Sequence, residues 1–330
     1  MHVLFASLAS VGHTYPLIPL AVAARDAGHE VHFAAGEEVH PVLAANGLRP
    51  FRPGFAFYEI YAEDLTPELA RLEPDLVVHE WGLPGAAVAA HDFGIPGVWH
   101  GTGRLIPEGI GFELPTNIAG APGKPHLDIC PPSLQDAKFL ATADRIELRP
   151  VPFAPPGVVP RRGDGPLIFL SLGTAFGTPE LLGTAIAGLA GLGAQVVVAA
   201  GRVPVDEIGP VPDNVTLRAW VPQADLVPHA DLVVHHGGSG TTLGALAAGV
   251  PQLILPQGAD QFANAEAVRA AGAAQSLLSA QLTSETIAEY ARRLLRDRDH
   301  RDAARAIAAE IARMPSPADV ARRLPELAAS

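Results

Sequence analysis

Cysteine is nearly absent from this chain. A single residue, Cys130, occurs in 330, which excludes an internal disulfide framework and a thiolate metal cluster. It precedes Pro131-Pro132 with no activating neighbour, so it reads as a small packed residue. Lysine is almost as scarce, only Lys124 and Lys138, and the formal charge is −12 without any basic stripe. Nucleic-acid binding needs clustered cations to displace counterions, so that class is set aside. Long apolar runs are missing too: none approaches the ~20 residues that a membrane span requires. The opening Met1-His2-Val3-Leu4-Phe5 has the pattern of a strand rather than of a basic leader, and the cytoplasm is the expected compartment. Against these absences, 48% of the residues are hydrophobic and 18% charged. That is ample for burial, and the length suggests two domains of about 150 residues each.

Taken in order, residues 2–8 read as an apolar strand, 9–14 as its loop and 15–27 as a helix stopped by Gly28, with Pro16 tolerated in the first turn and Pro19 late enough to make that turn irregular. Further strands are expected at 30–35, 48–52 and 75–79, the last ending at Glu80, with helices at 37–45, 66–72 and 84–93. Strands alternating with helices at these lengths imply βαβ units and a parallel sheet covered on both faces. Periodicity then fades until a second alternation begins at Leu167, with strands at 167–172, 195–200, 215–218, 232–235 and 252–255 and helices from about Asn264, Ser284 and Arg301. The proline cluster around 149–156 is extended and semi-rigid. The expected division is a first domain over 1–150, a linker over 151–166 and a second domain over 167–330. Two such sheets in tandem place a ligand in the cleft where their carboxyl-end loops face each other.

The most informative stretch is Leu232-Val233-Val234-His235-His236-Gly237-Gly238-Ser239-Gly240-Thr241-Thr242-Leu243: a strand, a glycine-rich turn and a helix start. A helix N-terminus carries unsatisfied N–H groups and the positive end of the macrodipole, so it attracts anions. Gly237, Gly238 and Gly240 let a phosphate approach the backbone, Thr241 and Thr242 offer hydroxyls, and His236 adds a directional donor. Neither the P-loop nor the dinucleotide glycine spacing is present. The alternative reading is a tight strand-to-helix turn with no ligand.

Five motifs in order give the chain a resemblance along nearly its whole length: Gly12-His13-Thr14-Tyr15-Pro16-Leu17, Ser171-Leu172-Gly173-Thr174, Trp220-Val221-Pro222-Gln223, His236-Gly237-Gly238-Ser239-Gly240-Thr241, and Asp260-Gln261 before Asn264. The chain resembles the GT-B glycosyltransferases of family 1, in particular the bacterial enzymes that decorate antibiotics and other secondary metabolites. The first motif, with Pro131-Pro132-Ser133-Leu134-Gln135, is similar to calicheamicin-type enediyne transferases. The resemblance implies two Rossmann-like domains, with C-terminal helices around 318–328 crossing back to pack on the first. It implies an aglycone in the first domain and a nucleotide sugar in the second.

In the terms of that resemblance, His13 is the general base that deprotonates an acceptor hydroxyl and Glu80 the carboxylate that fixes its tautomer and stabilises its cation. The other readings are that His13 caps the helix and that Glu80 is a solvated loop residue. His236, the N–H groups of Gly238, Ser239, Gly240 and Thr241, and the Thr174 hydroxyl would hold the diphosphate, with Gly237 giving the turn. These donors stabilise the charge that grows on the leaving phosphate, so neither metal nor cofactor is implied. Trp220 would flank the nucleobase, with the Val221 backbone reading its edge, unless Trp220 is a core aromatic ending a strand. Asp260 and Gln261 match the pair that binds sugar hydroxyls, and Asp260 could also be a helix N-cap. Asp297 and Asp299, the only Asp-x-Asp, read as a solvated helical face.

Two departures from the family pattern matter. Relatives using UDP-sugars carry a ribose-binding Glu three residues after the Thr241 position; here that residue is Gly244, which points to a TDP-sugar. The chain is also short for the family, and the shortfall falls in the first domain, around Phe57-Tyr58 and within 104–117. The expected reaction is inverting transfer of a deoxysugar to a hydroxyl of a hydrophobic natural-product aglycone, with nucleic acid and membrane excluded as partners and a homodimer left open. The competing readings are a nucleotide-sugar epimerase or hydrolase of the same fold, and a catalytically idle helper of a partner transferase.

Overall fold

The apolar runs become strands because both faces of each sheet are covered. In the computed structural model, which describes residues 1–54, 60–105 and 125–329, two compact units are present. The segment around Phe57-Tyr58 and most of 104–117 lie outside the described residues.

The N-terminal unit comprises Met1–Phe153 and Arg313–Ser330. Its sheet contains β1 (His2–Ala6), β2 (Glu30–Ala34), β3 (Arg49–Phe51), β4 (Leu76–Glu80), β5 (Gly97–His100), β6 (His126–Asp128) and β7 (Arg145–Glu147). They run in the order β3-β2-β1-β4-β5-β6-β7, every pair parallel. The register sets Ala6 beside His79 and Glu80 beside His100. Strand order reverses between β1 and β4, and ligands of open α/β sheets bind outside the carboxyl ends at such a switch point.

The structure departs from the expected helix at 15–27. A helical turn Val11–Thr14 already contains His13, a 3-10 turn follows at Tyr15–Leu17, and a fresh helix runs Ile18–Asp26. The break answers the proline problem: Pro19 falls in the first turn of the new helix, where its missing N–H costs nothing. The helix expected at 66–72 starts earlier, at Ala62. The two strands β6 and β7, with the helix Ala137–Thr142 between them, occupy the region where periodicity faded.

The helices Pro317–Ala321 and Leu324–Ala328 return to the N-terminal unit, the first packing on Ile18–Asp26 and the second on β4. Arg149 anchors the return: its N–H donates to the Pro315 carbonyl at 2.7 Å and its Nε to the Met314 carbonyl at 3.1 Å. The range 167–330 expected for the second domain is corrected at its end, because residues from Arg313 onward pack in the first unit.

The C-terminal unit, Ala154–Ala312, holds β8 (Leu167–Ser171), β9 (Gln195–Ala199), β10 (Val215–Arg218), β11 (Leu232–His235), β12 (Gln252–Ile254) and β13 (Ala274–Ser276), all parallel in the order β10-β9-β8-β11-β12-β13. Successive residues point to opposite cores. Leu170, Val198 and Val234 pack with Leu182, Leu189 and Ile287, while Phe169, Val197 and Val233 pack with Val221, Leu226 and Ala245. Each fully buried Leu, Val or Phe is worth about 1.5–3 kcal/mol relative to exposure, so a strand buried on both sides needs an unbroken apolar run rather than alternation.

Candidate active site

In the N-terminal unit the site is built from β1 and β4. The chain leaves β1, turns at Ser10 and enters the Val11–Thr14 turn, whose N–H groups at His13 and Thr14 bond the Ser10 carbonyl at 3.2 and 2.8 Å. Thr14 Oγ1 donates to the Leu8 carbonyl at 3.0 Å and lies 2.9 Å from Ser7 Oγ, all of it buried. This rivets the turn to the strand end and fixes the direction of His13. Its Nδ1 lies 2.5 Å from Oε1 of Glu80. Glu80 is completely buried, and its Oε2 accepts the Leu8 N–H at 3.2 Å. Glu80 is therefore not a solvated loop residue, and His13 lies inside the Val11–Thr14 turn, whose N-cap is Ser10. A carboxylate only accepts, so Nδ1 carries the proton and Nε2 the lone pair. The imidazole is a third exposed, 33%, against 0% for its partner.

In the C-terminal unit the glycine-rich turn sits where β11 ends. Gly237 has φ 95°, a left-handed conformation, and a Cβ there would lie 2.8 Å from Ile254 Cγ2, so only glycine fits. The N–H of Gly237 donates to Nδ1 of the buried His235 at 3.1 Å, and His235 Nε2 lies 2.7 Å from Gln252 Oε1. His235 is therefore a neutral imidazole with defined tautomer, held from both ends. Burial pushes its pKa down to about 3. The ring of His236 occupies a slot between two glycines: a Cβ on Gly173 would come within 2.6 Å of it, and one on Gly238 within 2.4 Å, at Nε2. Burial lowers the His236 pKa, partly opposed by the Ser171 backbone and the Asp260 carboxylate. Its Nδ1 is buried with no hydrogen-bond partner.

The helix Ser239–Ala247 starts here without a side-chain cap at Gly238. Its first-turn N–H groups are left to an external acceptor, which is the arrangement an anion satisfies. Ser239 Oγ donates to Asp260 Oδ2 at 2.9 Å, and Asn264 Nδ2 bonds the same oxygen at 2.9 Å and the Gly237 carbonyl at 2.9 Å. Thr241 Oγ1 donates to Gln223 Oε1 at 3.2 Å. Thr174 lies in the loop after β8, partly buried, one residue beyond the Gly173 wall of the His236 slot.

The other expected residues are placed by their own bonds and burial, with one correction, at the Asp260 cap. Asp260 does not cap the helix Gln261–Ala270: it makes no side-chain cap bond, and its carboxylate turns to Ser239 and Asn264 instead. Gln261 is buried, and its Oε1 accepts the N–H groups of Gln257 and Gly258 at 2.8 and 3.2 Å, so it shapes the 257–261 loop from within. Trp220 is not a core aromatic but 42% exposed, just beyond β10, whereas Val221 is buried. Gly244 is buried inside the helix and offers no side chain. Asp297 lies between two helices and accepts the Asp299 N–H at 2.9 Å. Among the described residues no group of three or more His, Cys, Asp or Glu is placed to hold a metal ion, and no helix is long and apolar enough to cross a membrane. Cys130 is buried, and its N–H donates to Asp128 Oδ1 at 3.0 Å. Sequence reasoning gave no role to His235 and Gln252; the doubled His-His at the strand end was the only signal.

Two parallel sheets of this kind, each with a switch point in its strand order, are the fold of the GT-B class. Comparison with known proteins narrows this. The family of erythromycin biosynthesis protein CIII-like C-terminal domains matches residues 184–327. The chain is 33% identical to L-demethylnoviosyl transferase of Streptomyces niveus, over 98% of this chain and 97% of that one. It is 32% identical to the elloramycin glycosyltransferase of Streptomyces olivaceus, over 98% and 97%. Among solved structures, the glycosyltransferase SsfS6 of Streptomyces sp. SF2575 complexed with thymidine diphosphate superposes with a TM-score of 0.80 at 28% identity, over 99% of each chain. The spinosyn rhamnosyltransferase SpnG complexed with thymidine diphosphate gives 0.84 at 26%, over 98% of this chain and all of the other. The chain belongs to the family 1 glycosyltransferases and is a transferase of the secondary-metabolite type.

Proposed function

We propose that the protein transfers a deoxysugar from a TDP-sugar to a hydroxyl of a natural-product aglycone, with inversion and without a metal. The observation that carries this reading is the 2.5 Å pairing of His13 Nδ1 with the buried Glu80. Nε2 of His13 takes the acceptor proton while the oxygen attacks the anomeric carbon and the diphosphate leaves from the opposite side. Glu80 balances the imidazolium as it forms. On the donor side His236, the Thr174 hydroxyl and the N–H groups of Gly238–Thr241 receive the charge that builds on the leaving phosphate, the role a metal fills elsewhere. Trp220 stacks on the thymine beside the Val221 backbone, and Asp260 Oδ1 and Gln261 Nε2 meet the sugar hydroxyls, the other polar atom of each side chain being used within the fold. Gly244 leaves a ribose 2′-hydroxyl without a carboxylate partner, which favours the deoxyribose of TDP. The likeness of Gly12–Leu17 to enediyne transferases is one of motif spelling and carries no choice of aglycone.

An α-configured TDP-sugar is expected to give a β-glycoside, followed by NMR of the product, at a rate unchanged by EDTA. A retained anomeric configuration would overturn the single displacement, and loss of rate on chelation would overturn metal independence. The donor half has its own test. TDP titrated calorimetrically into His236→Ala is expected to bind about 5- to 150-fold more weakly than into the wild type, the ~1–3 kcal/mol cost of losing a hydrogen bond to a charged group. Equal affinities would remove His236 from the diphosphate site.

A further inference from the structure

The exposed aromatic residues of the C-terminal unit are all on one edge. Among its described residues Phe176, Trp220 and Phe262 have large exposed side chains, at 43, 42 and 47%. They follow the carboxyl ends of β8, β10 and β12 respectively. Single exposed apolar residues are ordinary, but three aromatics gathered at the binding edge of a parallel sheet are the lining expected of a ligand site.

Strand order then assigns them. From β10 to β12 there are four strand spacings, about 19 Å at about 4.8 Å each, with the anion-seeking turn after β11 lying towards the β12 end. A nucleotide sugar with its base at Trp220 and its diphosphate at Gly237–Thr241 therefore places its sugar at β12. Phe176 reaches exactly that end. It leaves from β8, yet its ring lies on Gly258 in the loop after β12: a Cβ on Gly258 would come 2.9 Å from Phe176 Cε1 and 3.1 Å from Cζ. Because β8 and β12 flank β11, the ring bridges the mouth of the phosphate turn. Gly258, two residues before the Asp260–Gln261 pair that would meet hydroxyls, is itself held by the bond from its N–H to Gln261 Oε1.

Resting on the donor reading above, we propose that Phe176 is the sugar-selecting residue. One side of its ring is fixed on Gly258 and the other is open to the donor. It gives an apolar surface to a C–H or methyl face, and it leaves a hydroxyl at the same place stripped of water and without a partner. The protein thereby selects deoxysugars over their hydroxylated parents.

The test is calorimetric titration of the full chain with TDP, TDP-glucose, TDP-6-deoxyglucose and TDP-2-deoxyglucose. The wild type is expected to bind one deoxysugar donor on the order of tenfold more tightly than TDP-glucose, the scale of discrimination that an apolar wall provides against an added hydroxyl. Phe176→Ala is expected to abolish that preference while the TDP affinity stays within about twofold, and Phe176→Leu, which keeps an apolar surface, to retain part of it. Because the side chain is exposed, folding of the variants is checked simply by an unchanged melting temperature. A wild type with no preference for either deoxysugar, or a Phe176→Ala variant that keeps it, overturns the assignment with the donor site intact. Equal weakening of all four ligands overturns it in favour of loop support. A wild type that binds no TDP overturns the donor site and this inference together.

Discussion

Replacement of His13 by Ala is expected to reduce the turnover of sugar transfer by about 10²- to 10⁴-fold, the contribution of a positioned general base, while leaving TDP affinity unchanged. The expectation follows from where the proton goes. An alcohol is a poor nucleophile until its proton is removed, and in the N-terminal unit His13 is the imidazole that a buried carboxylate holds in one tautomer. Glu80 gives the finer test. Glu80→Gln keeps an oxygen for Nδ1 and removes the charge, so it should lower turnover without unfolding the chain; the loss would report how much the carboxylate stabilises the imidazolium. Glu80→Ala also strips the Leu8 N–H of its acceptor inside a dry site. It is therefore expected to cost about 1–3 kcal/mol of stability besides the activity. Single-turnover assays with a TDP-sugar and a phenolic acceptor, together with thermal melts, separate the two effects. A His13→Ala enzyme with wild-type turnover would transfer the role of base to another group.

The His13–Glu80 pair also shows what a sequence can and cannot reveal. The two residues stand 67 apart, and no periodicity links such a distance; only the resemblance to a family joined them before the structure was seen. The strands of the C-terminal sheet were legible because each is buried on two faces, so that Leu232-Val233-Val234 stands out as an unbroken apolar run. The three-residue strands β6, β7 and β13 were not: a run that short, carrying His126, Asp128, Arg145 and Glu147, has no period to detect. The irregular first turn that Pro19 implies is the 3-10 turn Tyr15–Leu17; what the sequence does not show is that the chain bonds Ser7, Leu8 and Thr14 into a separate helical turn before it. Side chains whose polarity is used inward are not legible in a motif: Gln261 and Asp260 match a sugar-binding pair by position, and only the structure shows that one also props its own loop and the other also ties Ser239 to Asn264.

Acidification is expected to unfold the N-terminal unit before the C-terminal one. His79, His100 and His126 stand on the adjacent strands β4, β5 and β6 and are buried. Burial pushes the first two down to about 4 and the third to about 3, His126 also being opposed by the charges of His100, His79 and Arg145. The Nε2 atoms of His79 and His100 have no hydrogen-bond partner, so nothing in the core offers a protonated ring an acceptor there. In the unfolded chain a histidine titrates near 6.5. Since the folded values are lower, the unfolded state binds protons first, and stability is intact above pH ~6.5 and falls as pH drops from there towards 4. Each histidine contributes on the order of 1 kcal/mol per pH unit over that window. Three together remove several kcal/mol by pH 5, a large part of the ~5–15 kcal/mol that holds a domain folded. The neighbouring Asp128, which burial raises, acts with the opposite sign: its folded form takes up a proton before its unfolded form does, which offsets part of the fall at the acid end of the window. In the C-terminal unit burial lowers two histidines, His235 and His236, the second partly compensated by the Ser171 backbone and Asp260, and a shallower fall is expected for that unit. Trp81 and Trp99 report on the first unit and Trp220 on the second, so urea melts at pH 7, 6 and 5 followed by fluorescence in a Trp220→Phe variant read the N-terminal unit alone. A stability that stays flat from pH 7 to 5 would mean that these histidines reach water or a counter-charge on protonation. A fall of the predicted slope would mean that the sheet edge beside Glu80 is kept dry, as the buried carboxylate of a general-base pair requires.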